Sequence, residues 1–196
     1  MSETRWWWLR HARSDAAEGV IVGRSDVGCR PIAAERARRA AARLPEGAVL
    51  LCSGLRRTLV TAEALTEGGA DLPPPLIEPA LVEQDFGEWT GRRWADLADD
   101  PVAARFWADP AGAPPGGESF AAVMERVRAA VERLSDAYAG RDIVAVSHAG
   151  PITAAVAMAL GVAPRAALSI VIEPLSLTRL DRLGGCWRVA GVNWPA

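Results

Sequence analysis

The stretch Arg5-Trp6-Trp7-Trp8-Leu9-Arg10-His11 brings an apolar run of this 196-residue chain directly up to a histidine. The stretch Asp142-Ile143-Val144-Ala145-Val146-Ser147-His148 repeats the pattern near the other end of the chain. Apolar runs of this length, bounded by charge, are typical of strands buried on both faces of a parallel sheet. The ligand crevice of an open α/β sheet lies at the carboxyl ends of its strands, so we expect these two histidines, the only 2 in the chain, to meet in one site.

Strand and helix patterns alternate along the chain. Strands are predicted over residues 5–10, 48–52, 76–77, 142–147, 168–173, 175–180 and 186–192. Helices are predicted over residues 31–44 and 119–138, and from Ser53 and Pro151 onward. This alternation predicts an α/β fold, a three-layer α/β/α sandwich with a mostly parallel central sheet. We expect a single domain over residues 1–196, with a small cap-like insertion at about residues 82–120 over the carboxyl ends of the strands.

Four segments carry motifs that resemble one known family in the expected order. They are Leu9-Arg10-His11-Ala12-Arg13-Ser14, residues 53–62, residues 81–91, and Ser147-His148-Ala149-Gly150. They resemble the Arg-His-Gly signature, the Ser-x-Leu-x-Arg-Ala-x-x-Thr-Ala block, the Glu-x-x-Phe-Gly-x-Trp-x-Gly block and the second histidine of the histidine phosphatase (phosphoglycerate mutase-like) superfamily. The overall length, the Trp-rich first strand and the Pro-Pro-Gly-Gly-Glu-Ser run at residues 114–119 resemble its α-ribazole phosphatase-like branch.

The resemblance implies chemical roles for five residues. Neutral His11 would attack phosphorus as the nucleophile and form a phosphohistidine. Arg10, Arg57 and His148 would surround the phosphoryl oxygens and stabilise the charge that develops in the transition state. Glu83 would protonate the departing alkoxide, and would then take a proton from the water that cleaves the phosphohistidine. Because that carboxyl must be protonated for the first step, we expect an activity optimum on the acidic side of neutral.

Two of these assignments have competitors nearby in the sequence. Arg56 competes with Arg57 as the phosphate ligand, and the register of the motif favours Arg57. Asp85 and Glu88 compete with Glu83, because three acids within a few residues are also typical of a solvated face. The Phe-Gly-x-Trp context favours Glu83.

Four further residues are candidates for binding phosphate or substrate. Ser14 is either a phosphate donor or a turn residue. Ala149 lies in the small-residue turn before the helix predicted from Pro151, an arrangement that exposes backbone N–H groups to an anion. Arg13 and Arg24 would bind a second anionic group, although surface arginines commonly have no such role.

The chain also departs from the family pattern. Ala12 replaces the glycine of the signature, which requires a negative backbone φ at that position. Ala17 stands where many members place an asparagine, and Thr153 where an arginine is common. The Leu-Thr-x-x-Gly segment that usually follows Gly-x-x-Asp is not recognisable after residues 23–26. These departures leave two alternatives to a phosphatase: phosphoglycerate mutase-type transfer, and a low-turnover module that binds or senses a phosphate ligand.

Composition excludes several other classes of enzyme. All 22 basic residues are arginine, so a Walker phosphate loop and a lysine Schiff base are both impossible. The 3 cysteines and 2 histidines show no zinc-ligand spacing, and no Gly-x-Ser-x-Gly elbow occurs. We therefore expect no metal and no other cofactor.

Charge and hydropathy bear on the partners and the location. A net charge of −2 with dispersed arginines argues against a nucleic-acid partner. The longest weakly polar stretch, residues 152–163, is too short to span a membrane. The odd number of cysteines and the brief apolar run near the N-terminus favour the cytoplasm. The expected partner is a small-molecule phosphate ester, and the tryptophan run is also a candidate homodimer contact.

Overall fold

The computed structural model describes residues 3–195, so Met1, Ser2 and Ala196 of the predicted 1–196 domain lie outside the described residues. Its strands are β1 (Glu3–Arg10), β2 (Val49–Cys52), β3 (Leu76–Ile77), β4 (Asp142–Ser147), β5 (Ser176–Leu183) and β6 (Cys186–Pro195). Its α-helices are α1 (Ala34–Ala41), α2 (Arg56–Glu67), α3 (Pro101–Ala108), α4 (Phe120–Ala137), α5 (Ala149–Leu160) and α6 (Pro164–Ala167). None of the helices within residues 3–195 is long and apolar enough to cross a membrane.

The strands form one mixed sheet in the order β3-β2-β4-β1-β5-β6. The pairs β3–β2, β2–β4 and β4–β1 are parallel, whereas β5 runs antiparallel to both β1 and β6. The mostly parallel sheet and the α/β class are therefore as predicted. Because β1 and β4 are parallel neighbours, Arg10 pairs in register with Ser147, and the residues that follow the two strands emerge side by side.

Helices cover both faces of this sheet. Side chains alternate along β1, so Trp6 and Trp8 face one layer and Leu9 the other. The tryptophan layer contains α4 and α5, and the opposite layer contains α1 and α2. Trp6 and Trp8 stack with ring centroids 5.0 Å apart and are fully buried. Replacing either with alanine costs about 3–5 kcal/mol of stability. These two rings are unavailable for the predicted homodimer contact.

The prediction of a strand over residues 168–173 is wrong. Leu168 ends α6, and the segment that follows is irregular up to β5. The edge of β1 that this segment would need is already paired with β5 from Glu3 to Leu9. The predicted helix over residues 31–44 is also too long, since α1 covers only Ala34–Ala41. The last two predicted strands are present as β5 and β6, which form a hairpin with Leu183 paired to Cys186 across Gly184-Gly185.

Residues 82–120, here called the cap segment, consist of short 3₁₀ turns, α3 and loops. They share a small hydrophobic cluster with an earlier loop of the chain. Its buried members are Ile21, Trp89, Leu97, Ala103 and Phe106. Gly87 has a φ of +50°, and a Cβ there would lie 2.2 Å from the carbonyl oxygen of Pro115. The two ends of the segment approach too closely for a side chain at position 87. That this segment caps the carboxyl ends of the strands stays a prediction.

Candidate active site

The two histidines lie together at the carboxyl ends of β1 and β4. Their ring centroids are 4.9 Å apart, and the planes meet at 63°. His11 is 6% exposed and His148 is fully buried. The backbone N–H of His11 donates to the carbonyl of Ser147 at 2.9 Å, which extends the pairing of the two strands by one residue. The sheet topology therefore produces the juxtaposition that the sequence predicted.

Arg57, in the first turn of α2, links the two rings. Its Nε donates to Nε2 of His11 and to Nδ1 of His148, at 3.2 Å in each case. Its NH1 donates to the carbonyl of Ser25 at 2.7 Å, and its NH2 to the carbonyl of Gly23 at 2.8 Å. The loop that contains these carbonyls fixes the guanidinium and leaves Nε directed at the histidines.

The hydrogen bonds of His11 identify its tautomer. Nδ1 lies 2.5 Å from the carbonyl oxygen of Ala12, which can only accept, so Nδ1 carries the proton. Nε2 is then unprotonated, and its lone pair accepts the hydrogen bond from Arg57. Burial lowers the pKa of His11 to about 3; the Ala12 carbonyl opposes the shift, and the charges of Arg57 and Arg10 add to it. A neutral ring with an unprotonated Nε2 is the form that a nucleophile needs.

His148 is held from the opposite side by a series of hydroxyl groups. Its Nε2 lies 2.8 Å from Oγ of Ser53, which lies 3.2 Å from Oγ1 of Thr58. That threonine donates to the carbonyl of Leu55 at 2.7 Å. The series therefore accepts the hydrogen bond that Nε2 donates and ends at a fixed carbonyl, so Nε2 carries the proton of the neutral ring. Burial, followed by the adjacent His11, lowers the pKa of His148 well below its usual value.

Arg10 is anchored by the C-terminal part of the chain. Its NH1 donates to the carbonyl of Ile172, and its own carbonyl accepts from the N–H of Leu175 at 3.0 Å. Its Nε is buried and has no partner within residues 3–195. Burial lowers the pKa of Arg10, while the charge of Glu83 acts in the opposite direction. Arg10 therefore has an unused donor at Nε, and the residue lines the cavity that holds His11.

Glu83 lies in the same cavity as His11, a space of about 320 Å³. One of its carboxylate oxygens accepts from the N–H of Gln84 at 2.9 Å and from the N–H of Gly150 at 3.1 Å. Gly150 belongs to the first turn of α5, where free N–H groups favour a negative charge. The second carboxylate oxygen has no hydrogen bond to the described residues and remains available to a reacting group.

The backbone of Glu83 is clamped by charged side chains. Arg126 on α4 binds both carboxylate oxygens of Glu118, at 2.7 and 3.0 Å, and donates to the carbonyls of Ala80 and Glu83 at 2.6 and 3.2 Å. Arg24 binds Glu118 at 3.1 Å and the Glu83 carbonyl at 3.2 Å. Burial opposes ionisation of Glu118, but its hydrogen bond to Arg126 and the two positive charges lower its pKa.

The competing residues lie elsewhere. Arg56 is exposed, and its backbone N–H donates to Asp26. Glu88 is exposed, and Asp85 accepts from the N–H of Gly87. Neither acid lines the cavity that holds His11. The structure thus places Arg57 and Glu83, not their competitors, beside the nucleophile candidate, and their roles stay predictions.

Of the four weaker candidates, two line the cavity that holds Glu83 and two, Arg13 and Arg24, do not. Ser14 and Ala149 line the cavity of about 320 Å³, together with Phe86 and Trp94 from the cap segment. Arg24 is outside the cavity and is bound to protein groups. Its position fits the support of Glu83 rather than direct contact with a ligand.

Alanine at position 12 is compatible with the local backbone. Within residues 3–195 the non-glycine residues with positive φ are Leu175 and Asn193, so Ala12 has the negative φ that the sequence required. Its N–H donates to Oγ1 of Thr61 at 3.0 Å. The missing glycine therefore does not disturb the loop that carries His11.

Several residues of the site were missed by sequence reasoning. Ser53, Thr58 and Gly150 lie inside the motif segments, so their positions were available but their contacts were not. Glu118 follows two glycines in the loop at residues 114–119, whereas Arg126 had no signal because it lies on an otherwise ordinary amphipathic helix. No group of three or more His, Cys, Asp or Glu side chains within residues 3–195 is arranged to hold a metal ion.

Comparison with known proteins assigns the chain to a family. The sequence model of the histidine phosphatase superfamily (branch 1) matches residues 6–195. An adenosylcobalamin/alpha-ribazole phosphatase of Escherichia coli is 29% identical over 195 residues, which cover 96% of this chain and 90% of the relative. A bifunctional protein of Mycobacterium tuberculosis is 34% identical over 163 residues, 80% of this chain and 44% of the relative. This chain therefore matches less than half the length of that relative.

Solved structures agree with this family assignment. A mycobacterial glucosyl-3-phosphoglycerate phosphatase superposes with a TM-score of 0.83 at 27% identity, covering 98% of this chain and 99% of the other. The match of fold and sequence extends over nearly the whole described chain, including every segment that contributes to the site. The chain belongs to branch 1 of the histidine phosphatase superfamily.

Proposed function

We propose that the chain is a metal-independent phosphomonoesterase that hydrolyses a small phosphorylated metabolite through a phosphohistidine on His11. The observation that carries this proposal is the state of the His11 ring. Its Nδ1 proton is bound to the Ala12 carbonyl, and its Nε2 lone pair faces the cavity between Arg57 and His148. A neutral imidazole held in one tautomer, among cationic donors, is suited to attack phosphorus.

In the first step, Nε2 of His11 attacks phosphorus, and the bond from phosphorus to the leaving oxygen breaks. The guanidinium groups of Arg10 and Arg57, which line the cavity, donate to the phosphoryl oxygens, whose negative charge they stabilise. The incoming dianion favours a protonated His148, which donates to a phosphoryl oxygen through Nδ1 and to Ser53 through Nε2. Glu83 gives its proton to the leaving oxygen, so the product is a neutral alcohol.

In the second step, the same carboxylate accepts a proton from water. The resulting hydroxide attacks phosphorus and breaks the bond to Nε2 of His11, which releases inorganic phosphate and restores the neutral ring. Transfer to a second substrate hydroxyl instead of water would give the mutase reaction through the same intermediate. The cap segment favours the phosphatase reaction over the mutase reaction, because it is short in this chain. It contributes Phe86 and Trp94 to the site.

The proposal is tested by trapping the intermediate. A ³²P-labelled phosphate monoester is mixed with the protein in excess chelator and quenched rapidly; we expect an acid-labile, alkali-stable label on His11. His11→Ala should lose both label and turnover, and Arg57→Gln should lose about 10²–10³-fold in kcat. The exposed neighbour change Arg56→Gln is the matched control and should retain activity. Ligand binding without any label in the native chain would support the binding-module alternative.

Substrate choice requires a panel that includes α-ribazole phosphate and glucosyl-3-phosphoglycerate, the compounds that appear in the names of the relatives. Each ester is assayed with and without an added alcohol acceptor. Phosphate release that is insensitive to the acceptor supports hydrolysis, and label found in the acceptor supports the mutase reaction. The cytoplasmic location and a homodimer stay predictions of the sequence.

A further inference from the structure

A cavity of about 660 Å³ lies beside the candidate active site. A smaller cavity of about 240 Å³, lined by Arg10 and His11, lies between this cavity and the candidate active site. The two cavities share the lining residues Arg13, Arg30, Glu173 and Pro174. A molecule bound with its phosphoryl group at His11 can therefore extend along these shared lining residues into the larger cavity.

The two arginines among these shared lining residues are held side by side by the backbone. Ser14 and Cys29 form an antiparallel bridge, and the N–H of Arg30 donates to the carbonyl of Arg13 at 2.8 Å. Arg13 and Arg30 are consequently a cross-strand pair. Both side chains are exposed, and like charges directly opposite each other destabilise such a pair. An anion bound at this pair would offset the repulsion between the two positive charges.

The protein itself does not supply that charge. Within residues 3–195 the side chains of Arg13 and Arg30 make no ion pair and no hydrogen bond. Arg36 adds a third positive charge to the larger cavity, although one of its nitrogens donates to the carbonyl of Pro174 at 2.9 Å. Glu173 is the one acid in the lining. By contrast, Arg24 and Arg126, which hold the backbone of Glu83, are both paired with the carboxylate of Glu118.

We infer that the leaving group of the substrate carries a second anionic group, a carboxylate or a phosphate, that binds between Arg13 and Arg30. This inference rests on the proposed function and adds to it the chemical class of the substrate. Apolar residues in the same lining, Pro31, Ile32 and Leu175, contact the carbon skeleton that joins the two anionic ends. Guanidinium groups suit this task because they bind carboxylate or phosphate oxygens in a bidentate manner.

The test uses matched pairs of esters. Each pair consists of an ω-phosphorylated carboxylic acid and the n-alkyl phosphate of the same chain length, over a series from short to long. We expect kcat/KM to favour the carboxylate member by about tenfold at the best length, since a charge-assisted hydrogen bond stays favourable after solvent screening. Arg13→Gln and Arg30→Gln should each remove most of this preference while leaving the alkyl phosphate unaffected.

The matched control is Arg39→Gln, an exposed arginine on α1 that pairs with Glu35 outside the cavity. It should preserve the preference. Equal losses on both members of a pair, or no preference at any length, would overturn the inference. A phosphate-terminated series tests the other anionic group in the same way.

A binding measurement separates this inference from the proposed function. The affinities of the same pairs are measured by calorimetry in the His11→Ala background, where nothing turns over, with and without Arg13→Gln. A carboxylate preference that Arg13→Gln abolishes supports the second anion site even if the native chain hydrolyses none of the esters. If free acetate or free phosphate, and not the tethered group, binds at Arg13, the site serves a separate anion and the inference is wrong.

Discussion

One carboxylate oxygen of Glu83 accepts a hydrogen bond from the backbone N–H of Gly150 at 3.1 Å, and a Cβ at position 150 would lie 2.4 Å from that oxygen. The position of the proposed acid therefore depends on the absence of a side chain two residues after His148. Neither residue could show this dependence on its own, because the contact joins the cap segment to the first turn of α5.

Gly150→Ala should therefore displace the Glu83 carboxylate without unfolding the chain. We expect kcat/KM for alkyl phosphates to fall by about 10²-fold, the lower end of the effect of a lost general acid. Aryl phosphates with acidic leaving groups need little protonation and should lose much less. The control is Gly185→Ala, in the β5–β6 turn, where an added Cβ meets nothing within 4 Å. Equal losses on alkyl and aryl esters would contradict this role.

Ser53→Ala should alter the protonation of His148. Without the hydroxyl that lies 2.8 Å from it, Nε2 has no partner in the buried series, and the fixed tautomer of the ring is lost. We expect a roughly tenfold fall in kcat/KM, consistent with the loss of a hydrogen bond worth about 1–1.5 kcal/mol. The ¹⁵N chemical shifts of the ring report the tautomer directly. Thr66→Val, a hydroxyl deletion on the exposed side of α2, should change neither quantity.

Glu118→Gln should loosen the backbone around Glu83. The substitution removes the charge that Arg126 and Arg24 share, and we expect the free energy of unfolding to fall by about 1–3 kcal/mol. If the clamp also positions the acid, alkyl phosphate turnover falls more than aryl phosphate turnover. Glu125→Gln is the control, because that exposed acid on α4 pairs with Arg128 away from the site. A stability loss with unchanged leaving-group dependence would restrict the clamp to a structural role.

Acid should destabilise the fold through its buried neutral histidines. The pKa of His11 is about 3 in the folded protein against 6.5 when unperturbed, so between these values the unfolded chain binds a proton that the folded chain does not. Stability then falls as the pH drops from about 6.5, by up to about 1.4 kcal/mol per pH unit for each such histidine. Urea unfolding at several pH values measures this slope. His11→Ala should reduce it; an unchanged slope would mean that His11 is not held neutral.

The sequence was sufficient to predict the sheet and the pairing of the two histidines, because both follow from apolar runs that end at a parallel sheet edge. His11 and His148 each come directly after such a run, so their proximity needed no knowledge of side-chain contacts. The strand predicted over residues 168–173 failed for a reason of topology: β5 already occupies the neighbouring edge of β1. An apolar pattern alone does not tell which segment takes a given edge.

The residues that hold the backbone of Glu83 in place could not be predicted from the sequence. Arg24 was predicted to bind an anionic group of the substrate, and the structure shows it bound to Glu118 and the Glu83 carbonyl. The sequence around this arginine, a glycine before it and a serine after it, is the same whether the side chain binds a ligand or another part of the protein. Arg126 lies on α4 among other arginines and glutamates, and only the folded chain distinguishes the one that reaches the cap segment.

The attachment of Arg10 to the carbonyl of Ile172 and the N–H of Leu175 has a consequence for biosynthesis. A ribosome releases the N-terminal strand long before those residues emerge, and long-range contacts form late because of the loop entropy that they require. Arg10, the proposed phosphate ligand, is therefore fixed only after residues 172–175 have left the ribosome. A nascent chain that stops before these residues lacks this anchor, so the proposed phosphate site is completed late in folding.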